Sequence, residues 1–509
     1  MQLFRTKSVE QTIAETDDKD RKLKRTLGAW DLAIMGVAVA VGAGIFSVGA
    51  QAAAYHAGPA VIISFLIAGV VCGAAVMCYA EFASMIPVAG SAYTFTYTTV
   101  GEVMAWIIGW DLILEMLMAG SVISKYWGVY LNDFFGLMGW GLNTNITLFG
   151  GFNFDVAPLI IVAFFTVLLV FGTKLGARVD GAMTVLKIAI VFFVVIVGFF
   201  YVKASNYTPF IPPSEPASAV QGTSAVTGAW TQPLWQWMTG MTPSIYGVPG
   251  ILSGAALVFF AFIGFDVVAT ASEETKNPHR NVPLGIGVGM LLIIVMYMLV
   301  AVVTTGMVSY KDLAAADSPS LATAFELVGA TWAAKVISFG IVLGLATVVM
   351  VLLLGLTRIV FAMSRDGLLP RGLSRTGKHG TPAALQIGVG VVVALVAACF
   401  DIGVLSDMVN IGTLSAFTLV AISIPIMRAK RPDLPRAFKM PGNPWIPILI
   451  GLANLWLMLN LTVLTWVRFI VWLVVGFAIY FGYGYWHARL GKGDLSDTLS
   501  AETDKAVNG

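Results

Sequence analysis

Long apolar runs alternate along this chain with short polar or basic segments. Cut at the polar breaks, the sequence yields about twelve apolar stretches, roughly at 29–55, 60–86, 103–131, 156–171, 181–203, 250–271, 284–308, 333–363, 384–400, 404–427, 445–464 and 468–486. A helix needs ~20 apolar residues to cross the hydrocarbon of a bilayer. Only helices or closed barrels can satisfy their backbone there, and runs this long fit helices. The pattern therefore predicts an all-α polytopic membrane protein of about 12 transmembrane helices. The first run is too long for the core of a signal peptide, follows a charged 28-residue lead and ends without a small-residue cleavage site.

Composition sharpens the assignment. The 509 residues are 58% hydrophobic and only 11% charged, against about 25% charged in soluble domains. The mean hydropathy of +0.85 leaves lipid as the solvent for most of the chain. Of the 30 Lys and Arg, 23 fall in alternate connecting segments that include both ends. By the positive-inside rule this places both termini in the cytoplasm of a multi-pass protein of the bacterial cytoplasmic (inner) membrane. Cys72, Cys78 and Cys399 all fall within apolar runs, so no disulfide-linked subunit is indicated. The four histidines have no metal-ligand spacing, and no phosphate-binding loop follows the basic segments. We expect no enzyme, no cofactor, no metal and no nucleic-acid partner.

Two runs carry glycines near mid-membrane. The first reads Ala38-Val39-Ala40-Val41-Gly42-Ala43-Gly44-Ile45-Phe46, and the sixth reads Phe259-Phe260-Ala261-Phe262-Ile263-Gly264-Phe265-Asp266. Each leads a set of five runs. Paired interruptions at corresponding places in two halves point to a transporter binding site. Broken helices expose amides at one half-helix N-terminus and carbonyls at another C-terminus, which attract an anionic and a cationic group respectively. An amino-acid zwitterion offers one of each. The alternative is that the glycines only let helices pack closely.

Further pieces extend the pattern: Tyr79-Ala80-Glu81-Phe82, Pro87-Val88-Ala89-Gly90-Ser91-Ala92-Tyr93, Gly109-Trp110-Asp111-Leu112-Ile113-Leu114-Glu115, Glu273-Glu274-Thr275-Lys276-Asn277-Pro278, Ser364-Arg365-Asp366-Gly367-Leu368-Leu369-Pro370 and Arg431-Pro432-Asp433-Leu434-Pro435-Arg436. With the two breaks, the chain from about residue 27 to the last run resembles the amino acid–polyamine–organocation superfamily, and within it the prokaryotic relatives of the cationic amino acid transporters. The resemblance implies a five-plus-five inverted-repeat (LeuT-like) fold with two trailing helices and alternating access around a site between helices one and six. It implies a division into a cytoplasmic segment 1–28, a first repeat 29–204, an outer loop 205–249, a second repeat 250–428, two helices in 429–488 and a cytoplasmic tail 489–509. The substrate carboxylate would meet the amides of Ala43, Gly44 and Ile45. The ammonium would meet the carbonyls of Ala40, Phe260 and Ile263, with Val41 and Ala261 completing the lining. Phe260 stands where relatives place an aromatic gate; ordinary packing is the other reading.

Ionisable groups inside a membrane are costly and so are functional candidates. Lys187, in the fifth run, matches the place where proton-coupled relatives set an ammonium between helices one and eight. Its expected acceptors are the carbonyls of Ala38 and Val41 and the hydroxyl of Thr347. Burial lowers a lysine pKa, so this group would hold and release the coupling proton, unless it merely snorkels to the interface. Glu115 matches an acidic position beside the substrate ammonium; a structural hydrogen bond is the alternative. Asp266 follows the second break, and Glu81 and Arg358 near inner ends read as anchors or gate residues. Lys125 departs from the uncharged residue expected there. The stretch from Asn410 to Phe417 offers hydroxyls, an amide and a ring but no carboxylate, which tilts the reading toward a neutral substrate. An L-amino acid/proton symporter is the leading expectation, with an exchanger or a polyamine carrier of the same superfamily as rivals and a channel as the rival from another class.

Overall fold

The computed structural model describes residues 5, 27–42, 44–85, 91–141, 144–148, 152–171, 174–217, 228, 230–264, 268, 275–316, 318–375, 381–430, 432, 436 and 438–488. Among these, twelve helices have twelve or more residues. They are α1 (Ala29–Ala40), α2 (Val61–Met85), α3 (Glu102–Leu137), α4 (Ala157–Phe171), α5 (Lys174–Phe199), α6 (Gly247–Val258), α7 (Pro278–Met307), α8 (Thr331–Arg365), α9 (Ala383–Cys399), α10 (Ile402–Lys430), α11 (Trp445–Leu459) and α12 (Val463–Ile479). Six helical stretches are long and apolar enough to cross a membrane by length and composition: Gly44–Phe82, Glu102–Leu137, Arg280–Met307, Thr331–Arg365, Ile402–Lys430 and Val463–His487. The others are shorter apolar helices. The chain is thus a mostly helical, polytopic membrane protein.

Helix lengths recur in order. α1 and α6 each have 12 residues, α3 and α8 have 36 and 35, and α4 and α9 have 15 and 17. Packing recurs as well. α1 lies on α7 while α6 lies on α2, and α3 lies on α10 while α8 lies on α5. α3 packs against α8, α4 against α9 and α2 against α7. The surface follows the solvent: Phe164, Phe171, Val185 and Phe199 are among the many exposed apolar side chains, the inverse of a water-soluble domain and the normal state of a lipid-facing helix.

Two antiparallel hairpins lie outside the helices, Asn145–Leu148 with Phe152–Asp155 and Glu215–Pro216 with Ser244–Ile245. In the first, Asp155 accepts from the Ala157 amide at 3.2 Å, and burial pushes its carboxyl above the usual range. In the connection before α6, Trp235 packs against Trp456 with ring centroids 6.2 Å apart, while Trp230 and Trp237 are exposed. Backbone bonds from Leu234 to Leu461 and from Val463 to Gln232 dock this segment on the corner between α11 and α12.

Candidate functional site

The two glycine breaks meet. After α1 the backbone turns at Val41 into extended geometry (ψ 91°) and resumes as a wide π-type turn, Gly44–Val48. After α6 a tight 3-10 turn, Phe259–Phe262, ends at Ile263 in extended geometry (ψ 146°) and at Gly264 with φ +95°, which glycine alone adopts without strain. A Cβ at Gly44 would collide with Ala261 Cα, and one at Gly264 would lie 2.7 Å from Val39 Cγ1. Gly44 is therefore required by close backbone approach, and Gly264 by its positive φ with the Val39 side chain packed against it. Ala40, Val41, Gly44, Ile45, Phe260, Ala261 and Ile263 are all buried around this contact. Near Gly42 stand Ile123 of α3 and Val348 of α8, both aliphatic. Ala43, Phe265 and Asp266 lie outside the described residues.

A residue not singled out from the sequence joins the breaks. The Tyr297 hydroxyl, on α7, lies 2.6 Å from the Ala40 carbonyl and 2.8 Å from the Ala261 carbonyl. One hydroxyl thus bridges a carbonyl of each broken helix. Its ring packs on Phe65 and Phe262. A lone tyrosine in the aliphatic run of α7 was the available signal. The Phe260 carbonyl accepts the Ile263 amide at 3.3 Å. Beyond the breaks, the Lys276 amide donates to the Leu27 carbonyl at 2.8 Å, tying the entry of α1 to the segment before α7. On the other side Tyr130 of α3 donates to the Phe46 carbonyl at 2.6 Å.

Lys187 is 1% exposed, and its ammonium donates to the Ala38 carbonyl at 2.8 Å, one turn before the break in α1. An ammonium so enclosed does not reach solvent in the manner of a snorkelling lysine. The Thr347 hydroxyl donates to the Gly344 carbonyl. The lysine stem runs in a groove of α8: a Cβ at Gly344 would sit 2.7 Å from Lys187 Cγ, and one at Gly340 would collide with Ile190. The Gly340–Gly344 spacing is the small-xxx-small pattern that lets helices approach, and it was legible in the sequence.

Glu115 is fully buried on α3. One turn before it on the same face, Asp111 is also fully buried, with Oδ2 accepting from Ser415 of α10 at 2.8 Å. Phe260 is 5% exposed; its neighbour Phe259 meets Phe417 edge-on, and Phe417 in turn meets Tyr79. Glu81 is fully buried in a network of its own. Its carboxylate takes two bonds from Arg428 of α10, at 2.8 and 2.6 Å, and one from the Met440 amide at 2.7 Å. Arg358 is exposed. Lys125 is half-buried near the carboxylates of Asp155 and Asp401.

Comparison with known proteins gives matches along almost the whole chain. The sequence profile of the amino acid permease family matches residues 27–483. The branched-chain amino acid permease BcaP of Bacillus subtilis (strain 168) is 42% identical over 499 residues, covering 96% of this chain and 99% of that protein. The methylthioribose transporter of the same organism is 37% identical, with the same coverage. The vacuolar cationic amino acid transporter 4 of Arabidopsis thaliana is 35% identical over 440 residues, covering 85% of this chain and 68% of the plant protein.

Proposed function

Given that this chain belongs to the amino acid permease family, a family of transporters rather than enzymes, we propose that it is a secondary active carrier of L-amino acids, coupled to protons and working by alternating access. The observation that carries this reading is the contact of the two breaks, Gly44 against Ala261, with the Ala40 and Ala261 carbonyls brought to one hydroxyl. Paired carbonyls at helix ends attract an ammonium, and the amides that open the second half of the first broken helix attract a carboxylate. In this reading Gly44 and Ile45, with Ala43, receive the carboxylate; Ala40, Phe260, Ala261 and Ile263 receive the ammonium; Val41 lines the site, Gly42 gives the turn, and Phe260 closes it. Glu115 stands by the ammonium, directly or through water.

Lys187 is the proton carrier of the proposal. With its proton it ties α5 to α1 at Ala38; without it, the neutral amine loses the charge that strengthens the bond, and the first broken helix is freer to swing. The recurrence of helix lengths and contacts supports a five-plus-five repeat, 29–204 and 250–428, followed by two helices in 429–488, twelve spans in all. The basic segments then face the cytoplasm with both termini, 1–28 and 489–509, and 205–249 faces outward.

The aliphatic surroundings of Gly42 and the likeness to a branched-chain permease favour a neutral, aliphatic side chain. The test is uptake of labelled L-leucine, L-isoleucine, L-valine, L-alanine, L-lysine, L-arginine, spermidine and methylthioribose into proteoliposomes, with and without an inward proton gradient. Accumulation of an aliphatic L-amino acid above its outside concentration, only with the gradient, is the expected result. Accumulation indifferent to the gradient would make the protein an exchanger, and preference for spermidine or methylthioribose would overturn the amino-acid reading.

A further inference from the structure

Away from the breaks, a cleft of about 680 Å³ opens where the C-terminal ends of α5 and α7 come together beside the α7–α8 connection. Phe200, Lys203, Asn206, Ser309, Asp312 and Leu327 line it. Its floor is pinned: the Lys203 amide and the Asn206 side-chain amide both donate to the Gly306 carbonyl, at 2.9 and 2.7 Å. Charges of both signs face the cleft. Lys203 and Asp312 are exposed, and among the described residues neither takes part in an ion pair.

The cleft sits at the edge of the apolar surface. Phe192, Ile196, Phe199 and Phe200 are all more than half exposed, and Phe200 reaches 81%. The spacing of Phe192, Ile196 and Phe199 places them on one face of α5, and Phe200 follows at the helix end, forming a stripe about 12 Å long that ends at the cleft. A hydrocarbon chain lying on this stripe would bring a polar head to Lys203. Two helix C-termini also end there, and the negative end of each helix dipole favours a cation.

We propose that this cleft is a binding site for a phospholipid with an ethanolamine headgroup. The phosphate pairs with Lys203, the primary ammonium donates to Asp312 at the negative ends of α5 and α7, and an acyl chain follows the phenylalanine stripe. The charge pattern selects this class. A choline headgroup has no N–H to give to Asp312, and an anionic glycerol headgroup offers Asp312 only neutral hydroxyls, without a cation to pair with it. The site joins the far ends of the helix that carries Lys187 and the helix that carries Tyr297, so the lipid is placed to steady both. The proposal does not depend on the transport reading, because it is read from bound lipid.

The experiment is native mass spectrometry of the full chain in detergent, with phosphatidylethanolamine, phosphatidylcholine and phosphatidylglycerol of identical acyl chains added in equal amounts. The parent should retain phosphatidylethanolamine over phosphatidylcholine by about tenfold, equivalent to about 1.4 kcal/mol. Asp312→Asn should abolish that discrimination, and Lys203→Gln should lower retention of all three lipids. Both positions are exposed, so folding is expected to survive, and an unchanged melting temperature in detergent checks this. Equal retention of the headgroups by the parent, preference for phosphatidylglycerol, or discrimination that survives Asp312→Asn would each overturn the proposal.

Discussion

Replacing Lys187 by methionine separates the proton from the shape of the side chain. Methionine keeps an unbranched apolar stem for the groove at Gly344, where Lys187 Cγ lies 2.7 Å from the position of a Cβ, but it has no ammonium for the Ala38 carbonyl at 2.8 Å. A hydrogen bond from a charged donor contributes about 1.5–3 kcal/mol. Its loss therefore shifts the balance between tied and released forms of the first broken helix by about 10- to 150-fold. The thermodynamic consequence is sharper. One proton per substrate across one pH unit supplies about 1.4 kcal/mol, enough for about tenfold accumulation. The variant should exchange internal for external substrate yet show no accumulation driven by the gradient. The assay is uptake of labelled L-leucine into proteoliposomes under an imposed pH step, paired with counterflow in the absence of any gradient. If the methionine variant still concentrates substrate about tenfold across one pH unit, Lys187 does not carry the coupling proton.

Gly44→Ala should insert into the membrane and yet lose transport, because its Cβ collides with Ala261 Cα; normal uptake with an unchanged KM would show that the breaks need not touch. Tyr297→Phe keeps the ring contacts with Phe65 and Phe262 but strips a donor from two buried carbonyls, a loss of about 1–3 kcal/mol. Thermal unfolding in detergent should fall by several degrees, and substrate should restore part of it, whereas an unshifted melting curve would mean that the hydroxyl is idle. Glu81→Gln leaves Arg428 without its carboxylate. Breaking a buried pair from one side costs about 3–5 kcal/mol, so expression of folded protein, read by fluorescence-detected size exclusion, should drop steeply, and Arg428→Ala made together with it should recover part of the loss.

The apolar periodicity was enough to determine that the chain lives in lipid as a helical, many-pass protein, because about twelve long, sparsely charged runs admit no other solvent. The interruptions were legible too: glycines at 42, 44 and 264 mark places where a regular helix would be poorly served, and Lys187 stood out because an ammonium in an apolar run needs a reason. The superfamily followed from short motifs in a fixed order, which local sequence carries in full. Tertiary structure alone decided how these pieces answer one another. That Gly44 must be glycine depends on Ala261, more than two hundred residues away. Tyr297 reads as an ordinary aromatic until its hydroxyl is found between two carbonyls of different helices. Glu81, read from the sequence as anchor or gate residue, has its partners Arg428 and Met440 identified only by the fold. Hydropathy reports each residue's preference for its solvent, one position at a time. A hydrogen bond or a backbone contact between distant segments exists only where packing brings two positions together, and no single position in the sequence records it.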